Sequence, residues 1–381
     1  MSLFDVKHQA YAQRSVQRAI ACERMPHAYL FHGPDGVGKE TLARSLAQFL
    51  LCGHSSERNL DGPDRGVVGV DRLRSGCGSC EDCRMVTADT HPDFHLIYRQ
   101  LNRDHPEAEV RKRKALDLGV EVLRHFVIDR VALTPHRGRA KVFVIREADE
   151  VTVQAQNALL KTLEEPPGTT FIILLVTALD RLLPTTLSRC QVVGFNALPT
   201  EFVRRRVAAL RPDVPAEQLD WYARSADGSL GRAIENVDDH LHSLNARLIE
   251  SVSEPRETRS DRIVKAWMDE SKALGERYRK RDPDITDTET TRRALKTVFR
   301  LVATWFADVL RIAAGAERGS TDAIVNLTWR ANLERSAQRT DVSRAAKAIH
   351  RIVEAERQLD LNANTQLCLE TLVSDLAVAG H

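Results

Sequence analysis

A glycine-rich loop constrains this chain more than any other feature. Gly33-Pro34-Asp35-Gly36-Val37-Gly38-Lys39 fits the pattern G-x-x-x-x-G-K. It closes a short apolar run, Ala28–His32, and opens a stretch in which Leu42, Leu46, Phe49 and Leu50 recur at helical spacing. Strand, glycine loop and helix in that order make a phosphate loop. Gly33, Gly36 and Gly38 let backbone N–H groups turn toward phosphate oxygens, and Lys39 adds a point charge. The helix that follows offers its positive end to the same anion.

Three further apolar runs read as strands: Asp93–Tyr98, Lys141–Ile145 and Phe171–Thr177. They alternate with helical patterns, residues 6–22 among them and then LGVEVLRHFVIDRVAL and TVQAQNALLKTLEE. Strands apolar on both faces, separated by helices, predict an α/β fold with a parallel sheet covered on both sides. After Pro199 no strand pattern returns. Residues 200–240 suggest small helices and residues 243–381 long ones, while the charged segment 252–290 suggests a long loop or an exposed helix pair.

The phosphate loop departs from a hydrolytic site in two places. A Ser or Thr should follow the lysine and ligate Mg²⁺; Glu40 stands there, with Thr41 one place late. The strand Val142–Ile145 should end in an acidic metal holder, and it ends in Arg146-Glu147. An arginine cannot coordinate a cation. Glu147 remains as a candidate base, and Thr41 and Asp149 as the residues that would have to substitute from shifted positions.

Seven cysteines are present, and Cys77, Cys80 and Cys83 fall as C-x2-C-x2-C with Cys52 upstream. In a reducing compartment this pattern reads as metal and not disulfide. Four thiolates suit a tetrahedral Zn²⁺ and close its shell, which predicts a structural centre. Residues 53–76, 24 in number, separate Cys52 from Cys77 and do not fix the geometry by themselves.

Composition excludes several alternatives. A formal charge of +2 leaves no global field toward nucleic acid or membrane, and 5% aromatics leave few stacking platforms. No run reaches the roughly 18 apolar residues of a membrane span, and the first fifteen residues lack a secretory h-region, so a cytoplasmic location is expected. The run Arg111-Lys112-Arg113-Lys114, within the polar stretch 99–115, reads as a solvated loop before it reads as a nucleic-acid contact.

Several segments resemble the bacterial clamp-loader subunits of DNA polymerase III, a branch of the AAA+ proteins. These are His91-Pro92-Asp93, NALLKTLEEPP (Asn157–Pro167), LPTTLSRC (Leu183–Cys190), GSLGRA (Gly228–Ala233) and NANTQLCLETL (Asn362–Leu372). They occur in the family's order over almost the whole chain.

The resemblance implies a RecA-like lobe over 1–198 carrying a zinc module at about 52–90, a helical lid over 199–242 and a helical collar over 243–381. Within the family, Glu40 and Arg146 place the chain with the δ′ type, whose nucleotide site is commonly degraded, and not with the γ/τ ATPases, the alternative reading. The family's arginine finger, which acts in trans, maps onto Arg189, its sensor-2 arginine onto Arg232, and its zinc ligands onto Cys52, Cys77, Cys80 and Cys83. Asn362 and Asn364 would cap or link collar helices. The implied cofactor is structural Zn²⁺, with ATP or ADP held only if the glycine loop still works. The implied partners are γ/τ-type ATPase subunits, a δ subunit, the sliding clamp and, through the complex, primed DNA, with no membrane. The insertion 54–76 and the basic stretch 99–115 lie outside the family pattern.

Overall fold

The computed structural model describes residues 6–54, 56–59, 72–113, 117–137, 139–253, 260–283, 285–315, 323–361 and 363–379. Most of the insertion, together with Lys114 and Asn362, lies outside them. The chain divides into two compact units, Met1–Pro199 and Thr200–His381.

The first unit is built on a five-stranded parallel sheet. Its strands are β1 (Ala28–His32), β4 (Phe94–Ile97), β5 (Lys141–Ile145), β6 (Thr170–Val176) and β7 (Gln191–Gly194), in the spatial order β4-β5-β6-β1-β7. A separate antiparallel hairpin joins β2 (Ser56–Asn59) to β3 (Arg72–Ser75).

Alternation along the strands divides the core. Ala28, Leu30, Phe143, Ile145, Ile172 and Leu174 point to one face, where they pack on Val122, Leu123 and Val127 and on Ala155, Leu159 and Leu163 of a later helix. Tyr29 and Phe31 alternate to the other face. There the helix α2 (Lys39–Leu51), following α1 (Ala10–Ala21), lies against β5 and β6 with Leu42 and Leu46 fully buried. Burial on both faces makes the central strands continuous apolar runs, as the sequence pattern requires.

The carboxyl ends of the strands all point one way, so the loops after β1, β4, β5 and β6 gather at one rim of the sheet. Gly33 begins the first of these loops. Its φ is +149°, and a Cβ there would stand 2.4 Å from the carbonyl oxygen of Phe195, so only glycine lets the loop leave β1 beside the end of β7.

Two features of this unit escape the sequence pattern. Strand β7 has four residues, of which only Val193 is fully buried, so it lacks the apolar run that marks the others. The hairpin strands, SERN and RLRS, are polar or charged except at Leu73.

The second unit contains no strand among its described residues. It begins with three short helices, Thr200–Leu210, Ala216–Arg224 and Leu230–Asp238. Longer ones follow, including Leu241–Ser253, Asp287–Ala313, Val342–Asp360 and Thr365–Ala379. The segment 252–290, expected to be a long loop or an exposed helix pair, holds among its described residues the start of Asp287–Ala313 and the 22-residue helix Ser260–Arg281. Trp267, Ser271, Leu274 and Tyr278 form its buried stripe, at helical spacing inside an otherwise charged run. Gly275 allows close approach to the next helix, since a Cβ there would meet Thr290 Cγ2 at 2.7 Å. Buried Asp308 organises this unit from inside. It accepts hydrogen bonds from the Asn326 backbone and side chain, and Asn326 in turn accepts from Trp221 Nε1 and Asn245 Nδ2.

Candidate functional site

At the carboxyl rim the phosphate loop turns into α2 through Gly38, whose φ of +106° again favours glycine. Lys39 does not reach outward. Its Nζ donates to the carbonyls of Gly33 at 2.5 Å and Pro34 at 2.8 Å, and to Asp35 Oδ1 at 3.2 Å. The side chain is 6% exposed. Burial pulls its pKa down, and Asp35 opposes that. The lysine that would meet a phosphate is satisfied by its own loop.

Glu40 and Arg146, the two departures seen in the sequence, meet each other. Arg146 Nε donates to Glu40 Oε2 at 2.7 Å and Arg146 Nη2 to Oε1 at 2.5 Å. Arg44, one turn further along α2, donates from Nε to Glu40 Oε1 at 2.7 Å. Burial raises the Glu40 carboxyl, but the hydrogen bonds from Arg146 and Arg44 outweigh it and hold the pKa below the usual carboxylate range. A salt bridge therefore links the start of α2 to the end of β5, the two elements that a bound Mg²⁺ joins in a hydrolytic P-loop site.

The shifted substitutes are engaged too. Asp149 accepts from the Thr177 and Ala178 backbone N–H groups and from the Thr177 hydroxyl, which ties it to the end of β6. Glu147, with a left-handed φ of 48°, is clamped by Arg99, whose Nε and Nη2 each donate to it at 2.8 Å.

The cysteine cluster lies at the far end of α2. Cys52 caps that helix, and Cys80 caps α3 (Glu81–Thr87) by accepting from Cys83 N. The four Sγ atoms lie within 4.8 Å of one another. Cys52 stands 3.6 Å from Cys77 and 3.7 Å from Cys80, and Cys77 stands 4.0 Å from Cys83. A tetrahedral Zn²⁺ with sulfur at about 2.3 Å requires S···S separations of about 3.8 Å, so the four thiols fit that ion. Backbone N–H groups of His54, Cys77, Cys80 and Cys83 donate to the sulfurs, as thiolates need. Donation by Ser79 and then by Cys80 lowers the Cys77 thiol to about 6.

His91-Pro92-Asp93 stitches this module to the sheet. Asp93 accepts the N–H groups of His136 and Arg137 at 2.7 and 2.8 Å, fixing the segment that enters β5. Arg137 then reaches Asp82 and Glu81 on α3, and Arg139 donates to the Cys52 carbonyl.

Arg189 lies at the other end of the sheet. It stands two residues before Gln191, the first residue of β7, which pairs with Tyr29 near the start of β1. The glycine loop leaves the opposite end of β1. The Arg189 guanidinium is about one-third exposed, donates to Glu164 Oε2 at 2.9 Å and reaches the Thr185 carbonyl. In the second unit, Arg232 sits in the first turn of Leu230–Asp238, where its N–H is capped by the Ser229 hydroxyl and its guanidinium pairs with Asp227 at 3.2 Å. Among the residues that sequence reasoning missed, Arg44, Gln48 and Arg99 matter most. The first two were visible as polar residues four apart on a helix that otherwise packs inward.

The parallel sheet, its rim of loops and the helical second unit define a P-loop subunit of AAA+ type. A family model described as "DNA polymerase III, delta subunit" matches residues 8–199, and its C-terminal counterpart matches 289–377. A Bacillus subtilis DNA polymerase III subunit delta′ is 26% identical over 370 residues, 96% of this chain and 95% of that protein. The chain belongs to the DNA polymerase III delta-subunit family, as a clamp-loader subunit of the δ′ type. A Pseudomonas aeruginosa subunit delta′ is 31% identical over 59% of this chain and 60% of its own length. A Salmonella typhimurium subunit tau is 32% identical over 63% of this chain but only 33% of its own length. Those two relatives are thus matched over less than two thirds of their length.

Proposed function

We propose that this chain is a non-hydrolysing member of a hetero-oligomeric clamp loader, in which it supplies Arg189 to the ATP site of a neighbouring γ/τ-type subunit. In this reading it acts with a δ subunit to open a sliding clamp for loading on primed DNA. The Glu40–Arg146 ion pair carries the proposal. It fills both metal-holding positions with side chains that satisfy each other, so a nucleotide entering the loop would find no support for Mg²⁺.

Residues 199–242 would serve as the lid and 243–381 as the collar. Arg232 would be the lid's counterpart of the family's sensor-2 arginine. Cys52, Cys77, Cys80 and Cys83 would hold Zn²⁺ in a structural role, because four thiolates leave no open position for a substrate. Arg189, at the rim opposite its own phosphate loop, suits an action on another subunit's nucleotide. A guanidinium there would stabilise charge on the transferring phosphoryl group.

Two measurements test the proposal. The purified chain should co-assemble with a γ/τ-type ATPase and should hydrolyse no ATP alone. Turnover by the isolated chain that Lys39→Ala abolishes would show a self-sufficient motor instead.

A further inference from the structure

Helix α2 carries polar residues at a strict interval of four: Glu40, Arg44, Gln48 and, at its cap, Cys52. A spacing of four keeps them on one side of the helix over roughly 18 Å, and each engages something outside it. Glu40 pairs with Arg146 at the end of β5. Arg44, only 8% exposed, holds Glu40 by Nε and extends Nη1 and Nη2 to Asp89, at 2.5 and 3.0 Å, just beyond α3. Gln48 donates to the carbonyl of Cys83 at 3.0 Å and to the Thr87 hydroxyl at 2.8 Å. Cys52 belongs to the thiol cluster itself. Backbone packing reinforces the joint, since a Cβ at Gly76 would stand 2.9 Å from the Gln48 carbonyl.

We propose that the metal centre positions the phosphate loop through this row, with Arg44 as the joint between α3 and Glu40. The proposal rests on the reading of the four thiols as a zinc centre. Zinc fixes Cys80 and Cys83, which bound the first turn of α3. With α3 fixed, Asp89 and the Cys83 carbonyl hold Arg44 and Gln48, and Arg44 holds Glu40 against Arg146. Without the metal the short helix α3, only seven residues long, loses its main constraint. The far end of the row, the loop and first turns of α2, then loses a partner although it touches no metal ligand. Arg44 acts here as a positioning residue.

Hydrogen exchange on the full chain tests this, comparing zinc-loaded protein with protein stripped by chelator under reducing conditions. Stripping should speed exchange at least threefold in peptides spanning 33–46 as well as 77–89, leave the β5 peptide protected, and be reversed by returning Zn²⁺. Arg44→Met should retain one zinc per chain yet show a loop already loosened, with no further response to stripping. Asp89→Gly removes the same bridge at an exposed residue whose φ of 56° suits glycine, and gives the same readout should Arg44→Met fold poorly. Faster exchange at 77–89 with 33–46 unchanged overturns the coupling while leaving the zinc reading intact, and so does a rise spread over the whole chain. A loop that still responds to stripping in both variants overturns the route through Arg44. Freshly purified protein without bound zinc overturns the zinc reading and this proposal together.

Discussion

Arg146 and Glu40 are joined by two hydrogen bonds, of 2.7 and 2.5 Å, that tie the end of β5 to the start of α2. Each residue taken singly breaks the phosphate-loop pattern. Together they make a satisfied pair, because the guanidinium fork matches both carboxylate oxygens. Substituting one alone leaves a partly buried charge without its partner, so the two departures are coupled in energy as well as in space.

Glu40→Ala and Arg146→Ala should therefore each cost about 1–2 kcal/mol, and the double variant less than their sum. Both side chains are about one-third exposed, so screening holds the coupling energy to about 1 kcal/mol. The pair also sets a pH dependence. The folded Glu40 carboxyl titrates below its unfolded value of about 4.3. Its contribution is complete above that pH and fades as the pH falls through the lower folded value. Denaturant unfolding of the four-protein cycle at pH 7 and at pH 3.5 measures this, and a coupling unchanged between the two contradicts it.

How much of this was legible in advance varies with the residue. Strands β1, β5 and β6 announce themselves because both their faces are buried, the edge strand β4 by its short apolar run, and the phosphate loop because its glycines are spaced by backbone need. Glu40 and Arg146 were visible as departures, but their pairing was not, since 106 positions separate them. Strand β7 was hidden because an edge strand needs little apolar surface. The helix Ser260–Arg281 was hidden by its charge, although Trp267, Ser271, Leu274 and Tyr278 keep helical spacing. Asp93 read only as the start of a strand and as part of a resemblance, and the structure gives it a physical task.

Asp93 is 1% exposed and accepts two backbone N–H groups from the segment entering β5. Asp93→Ala orphans both donors and should destabilise the first unit by about 2–3 kcal/mol. Asp93→Asn keeps one acceptor and should cost roughly half as much. Denaturation midpoints of the two variants give the comparison, and equal, small losses would show that water replaces the carboxylate.

One Zn²⁺ per chain is expected, bound by Cys52, Cys77, Cys80 and Cys83. Chelation should lower the melting temperature, and Cys80→Ser should reduce metal content together with yield, because metal supplies folding energy to a module with little core. Metal analysis of fresh protein checks the first point and thermal scans with and without chelator check the second. A melting temperature indifferent to chelation would deny the metal a structural role.

Arg189 separates the proposed function from its rivals. In the structure its guanidinium rests on Glu164 and the Thr185 carbonyl, at the sheet end opposite the glycine loop. An exposed ion pair of this kind contributes roughly 0–1 kcal/mol, so Arg189→Ala should leave folding and assembly nearly unchanged. If the arginine acts on charge that develops at a neighbour's phosphate, its loss slows hydrolysis far more than it weakens nucleotide binding. The assembled loader should then lose ATPase activity in part only, since ATP sites at other subunit junctions keep their own arginines. Under the same assay Lys39→Ala should have little effect, because the Glu40–Arg146 pair leaves this chain's own loop without support for Mg²⁺. A self-sufficient motor reverses the order of the two variants. Undiminished DNA- and clamp-stimulated ATPase in the Arg189→Ala complex, with loading intact, would remove Arg189 from the mechanism.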